Sequence, residues 1–80
     1  MDRQLTQREQ ELYACLMDSA LRGKDIAAQM GLTLGSLRIY EARLYRELGA
    51  AGPRYGRIEL LHREIQRLRS LLADGAGRHA

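Results

Sequence analysis

The sequence predicts an all-α domain of four helices, on three observations. Apolar residues recur at helical spacings, as in Leu12 and Leu16, Ile26 and Met30, and Leu37, Leu44 and Leu48. Helix-terminus residues bracket these runs: Thr6 and Thr33 stand where caps are needed, Gly31 and Gly49 where helices must stop. β-branched residues are scarce and Pro53 is the one proline, which argues against a sheet. At 80 residues, a single domain (1–80) with a modest core is expected, one that gains stability from a partner. With no Trp and no Phe, that core is expected to be Leu, Ile, Met and Ala, with Tyr at its edges.

Met1 to Leu5 reads as a loose leader, with Leu5 able to staple onto the first helix. Thr6-Gln7-Arg8-Glu9 is a capping box, in which Glu9 reaches back to the N–H of Thr6. The first helix is expected to run to about Ser19, with Leu12, Leu16 and either Tyr13 or Cys15 facing inward. Asp18 to Gly23 connects it to a second helix, Lys24 to Met30. Gly31 ends that helix, because glycine enters a left-handed turn without steric cost. Thr33 caps a third helix, Leu34 to Leu48, its hydroxyl accepting an orphan backbone N–H. Ala27 is small enough to let another helix cross closely, while Ile26, Met30, Leu32 and Leu37 turn to one interior. Two short helices joined this way, from Gly23 to Ala42, read as a helix-turn-helix, whose second helix can enter a DNA major groove.

Gly49 stops the third helix and Ala50 to Pro53 form a loop. Pro53 suits the first turn of a fourth helix, where its missing N–H is not needed; Gly56 could instead delay that helix to Arg57. Ile58, Leu61, Ile65, Leu68 and Leu72 then form a heptad a/d seam. Residues 53–73 are expected to be a homodimerisation helix, with Glu64 of one chain meeting Arg69 of the other in a parallel pair. Leu60 and Leu71 widen the stripe, so part of the helix is also expected to pack on its own domain. Residues 74–80 hold little to bury and are expected to be a disordered tail.

Particular residues then suggest a family. Leu5-Thr6-Gln7-Arg8-Glu9 with Glu11 and Leu12, Lys24-Asp25-Ile26-Ala27, Met30-Gly31-Leu32-Thr33, Ser36-Leu37-Arg38 and Leu48-Gly49 resemble the LuxR/GerE-type DNA-binding domain. The resemblance spans Leu5 to Gly49 (5–49). The stretch from Leu37 to Arg43 is also similar to the last helix-turn-helix region of bacterial primary sigma factors. Tyr40 stands where the family has His, and the segment Arg57–Leu72 replaces the family's short last helix. The resemblance implies a four-helix regulator that binds DNA as a homodimer. With no receiver or ligand-sensing segment in these residues, its control is expected to come from abundance, dimerisation or a partner.

With Gly31 as the turn glycine, the third helix should expose Thr33, Leu34, Gly35, Arg38, Ile39, Ala42, Arg43 and Arg46. Leu37, Tyr40 or Glu41, Leu44 and Leu48 should line its buried side. Arg38, in the first turns, is the candidate base reader, since a guanidinium matches the two acceptors on guanine's major-groove edge. Leu34 and Ile39 could meet thymine methyls, and Arg43 and Arg46 phosphates. Lys24 and Ser36, near helix starts, are further phosphate candidates. Thirteen Lys plus Arg against ten Asp plus Glu, a net charge of +3, is compatible with a polyanion partner without requiring one.

The expected function is therefore a dimeric, sequence-specific transcription regulator that binds double-stranded DNA. The apolar character of Leu34, Gly35 and Ile39 keeps a second reading open: an adaptor that docks RNA polymerase or another regulator. A third is a phage DNA-packaging or replication adaptor. No enzyme, cofactor or metal is expected: His62 and His79 are isolated, and there is no metal-ligand spacing, phosphate loop or nucleophile motif. Single Cys15 suits a reducing, cytoplasmic setting, and no apolar run reaches membrane-spanning length.

Overall fold

The computed structural model describes residues 5–78, with side chains through Asp74. It is all-helical: α1 (Gln7–Leu16), α2 (Gly23–Met30), α3 (Leu34–Glu47) and α4 (Gly56–Arg78), with no strand among the described residues. Met1–Gln4 of the expected leader and His79–Ala80 of the expected tail lie outside those residues.

The capping box at α1 is formed. Thr6 Oγ1 accepts from the Glu9 N–H at 3.2 Å, and the Glu9 carboxylate accepts from the Thr6 N–H at 2.8 Å. Leu5 packs against the core, as a staple residue does. α1 stops at Leu16, three residues short of the expected Ser19. Asp18 is the reason: its Oδ1 accepts the Ala20 N–H at 3.0 Å and its carbonyl accepts the Leu21 N–H at 3.0 Å. These local bonds offer the backbone a turn in place of another helical step.

α2 and α3 both end in the same six-residue device. Gly31 and Gly49 sit at φ 66° and φ 64°. The Leu32 N–H reaches Ala27 O at 2.8 Å and the Ala50 N–H reaches Tyr45 O at 2.8 Å. Orphan carbonyls of the last turn are thereby satisfied. Between the helices, Thr33 Oγ1 accepts the Ser36 N–H at 3.1 Å and caps α3.

Leu12, Leu16, Ile26, Ala27, Met30, Leu37, Leu44, Tyr45 and Leu60 form the core. Tyr40, Tyr13, Cys15 and Leu48 are half-buried against it, so both Tyr13 and Cys15 face inward. Tyr45 departs from the expectation of tyrosines at the edge: it is 1% exposed. Its hydroxyl donates to Glu41 Oε2 at 3.1 Å, which satisfies the one polar atom that burial would otherwise strand.

The same ring explains where α4 begins. Pro53 lies in a turn closed by Gly52 O, which accepts the Gly56 N–H at 2.8 Å, and the helix starts only at Gly56. A Cβ at Gly56 would lie 2.6 Å from Tyr45 Cγ and 2.8 Å from Ala51 O, so only glycine lets the chain pass the ring this closely. One turn later Leu60 enters the core at 2% exposure.

Arginines tie the helices together. Arg8 Nη2 donates to Met30 O at 2.8 Å, at the end of α2. Arg57 donates to Leu16 O at 2.9 Å and Asp18 O at 2.6 Å, at the end of α1. Arg63 donates to Leu48 O at 2.7 Å and Gly49 O at 3.0 Å, at the end of α3. Each core helix thus has its C-terminal carbonyls met by a guanidinium from a different helix, where the helix dipole also favours a cation.

Beyond Glu64 the described side chains of α4 are all exposed. Tyr13 Oη donates to Glu64 Oε2 at 3.4 Å, and Arg67 Nε donates to Glu64 Oε1 at 3.0 Å. Glu64 is therefore already engaged within its own chain, and a cross-chain pair with Arg69 would compete with these contacts. Ile58, Ile65, Leu68 and Leu72 are exposed and Leu61 is half-buried, so most of the heptad seam turns away from the domain. Leu71 is exposed too, and Leu60 alone of the widening pair packs inward. The helical backbone continues to Arg78, past the expected start of a disordered tail at Asp74. Once a helix is nucleated, each further residue adds a hydrogen bond, and Gly75 and Gly77 each cost only about 1 kcal/mol relative to Ala.

Candidate nucleic-acid interface

α3 divides cleanly into two sides. Leu37 and Leu44 are at 0% exposure and Tyr45 at 1%, with Glu41, Tyr40 and Leu48 half-buried beside them. The other side carries Leu34, Gly35, Arg38, Ile39, Arg43 and Arg46, all exposed, with Ser36 and Ala42 half-buried. Thr33 and Lys24 are exposed near the starts of α3 and α2. At about 3.6 residues per turn, Ile39 lies opposite the buried line, and Arg46, seven residues on, shares its face. Arg38 lies to the flank that faces α2 and the loop before α4.

Bonding sorts the arginines in a way their positions in sequence do not. Arg8, Arg57 and Arg63 are used on helix ends, and Arg67 on Glu64. Arg38 and Arg46 make no hydrogen bond or ion pair among the described residues. Arg43 feels the carboxylate of Glu9, across from it on α1. Backbone donation from Thr6 holds the Glu9 carboxyl below the ordinary carboxylate value, with Arg43 adding attraction. Glu9 is 8% exposed, a burial that the capping box alone did not suggest.

A depressed carboxyl stabilises the fold only while ionised. Its contribution is present above the unfolded value and is lost as pH falls through the folded one. Glu64 behaves alike, lowered mainly by Arg67 and further by the Tyr13 hydroxyl. Stability is therefore expected to fall below about pH 4.5, and Glu9→Gln should flatten that fall. Urea midpoints of both proteins between pH 3 and 7 (a range of about four units around the carboxylate values) check this.

Two shallow depressions flank α3. Ser36, Ile39, Tyr40 and Arg43 line one of about 200 Å³. The other, about 310 Å³, runs between the start of α2, α3 and the loop before α4, with Arg38, Arg54 and Arg57 in its wall. Arg54 was not among the candidate DNA contacts, because the sequence placed it in the dimerisation helix expected from Pro53, whereas the structure holds it in the loop before α4. His62 sits exposed on α4 with Gln66 beside it, and no group of three or more His, Cys, Asp or Glu side chains among the described residues could hold a metal ion. No described helix is long and apolar enough to cross a membrane. The chain matches no protein-family model, no curated protein and no solved structure.

Proposed function

We propose that this protein is a small sequence-specific DNA-binding transcription regulator of the cytoplasm, acting as a homodimer and catalysing no reaction. In this reading α2 and α3 form a helix-turn-helix of the LuxR/GerE type, and α3 enters the major groove. Arg38 reads a base edge, while Arg43, Arg46, Lys24 and Ser36 hold phosphates. Thr33, Leu34, Gly35, Ile39 and Ala42 complete the surface laid against the duplex.

One observation carries this reading. The arginines that the fold needs are bonded within the chain, and α3 presents Arg38 and Arg46 outward with no such bond among the described residues. Guanidinium groups left unpaired on one helix face suit phosphate and guanine acceptors. A specific observation favours the adaptor reading instead: Ile39 is 64% and Leu34 44% exposed on the same face, as on a protein-docking surface. Selection of bound sequences from random duplexes separates the two. Enrichment of one motif supports DNA reading; recovery of an unbiased pool sinks it.

The exposed seam of α4 supports a second copy as its cover. Ile58, Ile65, Leu68 and Leu72 form an exposed apolar line at heptad spacing, of the kind a second helix covers. Leu61→Glu with Leu68→Glu is expected to give a monomer or an unfolded chain, and to weaken DNA binding. Sedimentation equilibrium at tens of micromolar (roughly the range where weak dimers matter) should find the wild type dimeric. A monomeric wild type there removes the dimer from the proposal.

A further inference from the structure

We infer that the groove between α2, α3 and the loop before α4 is a phosphate seat, and that Arg54 grips a backbone phosphodiester of duplex DNA in it. This rests on the DNA-binding reading above and adds a contact from outside α2 and α3.

The groove wall brings together Arg38 from α3, Arg54 from the loop and Arg57 from the first turn of α4. Gly23, the first residue of α2, opens on the same groove. Among the described residues Arg57 bonds to carbonyl oxygens and to no carboxylate, so no described acid cancels its positive charge. Arg38 makes no ion pair among the described residues. Arg54 has no carboxylate partner among the described residues either; its guanidinium lies 5.7 Å from the centroid of the exposed Tyr55 ring. The one acid in the wall, Glu41, already accepts a hydrogen bond from Tyr45. The groove is therefore a concave surface with three guanidinium charges against one carboxylate. Such a site is matched by a compact anion with several acceptor oxygens, which a guanidinium binds through paired N–H groups.

Its place on the molecule selects the source of that anion. The groove adjoins the first turns of α3, where Arg38 and Leu34 form part of its wall. A phosphate held there would anchor the duplex beside the base-reading end of that helix, and such contacts fix register rather than sequence. Because the Gly52-Pro53 turn and the seating of Gly56 against Tyr45 set the path into α4, Arg54 is carried by a defined loop.

The test compares wild type, Arg54→Ala and Arg54→Lys. Arg54 is exposed, so the variants should keep the wild-type far-ultraviolet circular dichroism and thermal midpoint. Arg54→Ala is expected to weaken selected and scrambled duplexes alike, on the order of tenfold at 0.1 M salt, and to lower the log–log salt slope by about one. Arg54→Lys should restore most of the slope, because it restores the charge. Unchanged affinity and slope in Arg54→Ala overturn the inference while leaving the DNA-binding reading intact. If the wild type binds no duplex, that reading fails, and titration with inorganic phosphate at constant ionic strength decides the groove. Movement of the Arg54 side-chain Nε–H resonance, with none for Arg69, upholds a seat for free phosphate species; no movement overturns the seat altogether.

Discussion

Tyr45→Ala is expected to cost about 3–5 kcal/mol, the range for truncating a fully buried aromatic. An 80-residue domain has only roughly 4–12 kcal/mol to lose, so much of the population should unfold under mild denaturant. The ring is the contact around which α3, the Gly52–Tyr55 turn and Gly56 are arranged. Its removal leaves a cavity at the point where α4 joins the domain, and the seating of Leu60 should loosen with it. Tyr45→Phe keeps the ring and removes the hydroxyl that donates to Glu41. Its cost at neutral pH should be about 1 kcal/mol. The two variants diverge again in alkali. Burial, and then the Glu41 carboxylate, push the Tyr45 phenol well above its ordinary value of 10.0. A group raised on folding gives stability that is complete below the unfolded value and is lost as pH rises toward the folded one. Wild-type stability should therefore decline above about pH 10, and Tyr45→Phe should decline less steeply. Urea midpoints at pH 7, 9, 10 and 11 (values set around a tyrosine's ordinary pKa of about 10), at one fixed protein concentration, measure both effects. A Tyr45→Ala variant as stable as wild type would show that the ring is not where the helices lock.

Elements governed by near neighbours were legible in the sequence. Thr6 with Glu9, Gly31, Thr33 and Gly49 each act over three to six residues, and each does in the structure what its local chemistry implies. What escaped was decided between distant segments. Nothing near Tyr45 says that a glycine eleven residues on will pass against its ring. Arg57 and Arg63 look in sequence like the solvated face of a leucine-rich helix, yet they satisfy carbonyls of α1 and α3. Even the early end of α1 was hidden only because Asp18 could serve equally as a helical residue or as a turn former.

The candidate site divides along the same line. Helical period alone separated Leu37 and Leu44 from Arg38, Ile39 and Arg46, since exposure on a helix follows a fixed angular step. Charge could not be apportioned that way. A net +3 is too small to point at any surface, and it conceals which arginines the fold consumes. Once Arg8, Arg57, Arg63 and Arg67 are assigned to partners inside the chain, Arg38 and Arg46 of α3 remain among the uncommitted guanidinium groups, together with Arg54 of the loop before α4.

Affinity for duplex DNA is expected to collapse with salt, and within that collapse Arg38 and Arg46 should part company. A footprint of about six phosphates would lose roughly 10³-fold between 50 and 200 mM salt, because each neutralised phosphate releases condensed counterions. Arg46 shares the outward face of Ile39 but lies in the last turn of α3. That end is distant from the turn at Gly31, and a guanidinium there is suited to a backbone phosphate. Arg46→Ala should weaken selected and scrambled duplexes by one common factor and lower the salt slope by about one. Arg38 stands in the second turn of α3, between the outward face and the groove that holds Arg54. From there it can span to a guanine edge once the neighbouring phosphate is seated. Arg38→Ala should cost on the order of 1–3 kcal/mol on the selected duplex and little on the scrambled one. Salt titrations of each variant on both duplexes give the four slopes and four affinities needed. Equal losses on the two duplexes for Arg38→Ala would make it another phosphate contact. Sequence reading would then rest with Leu34 and Ile39, whose apolar side chains can meet thymine methyls, and with the shape of the duplex itself.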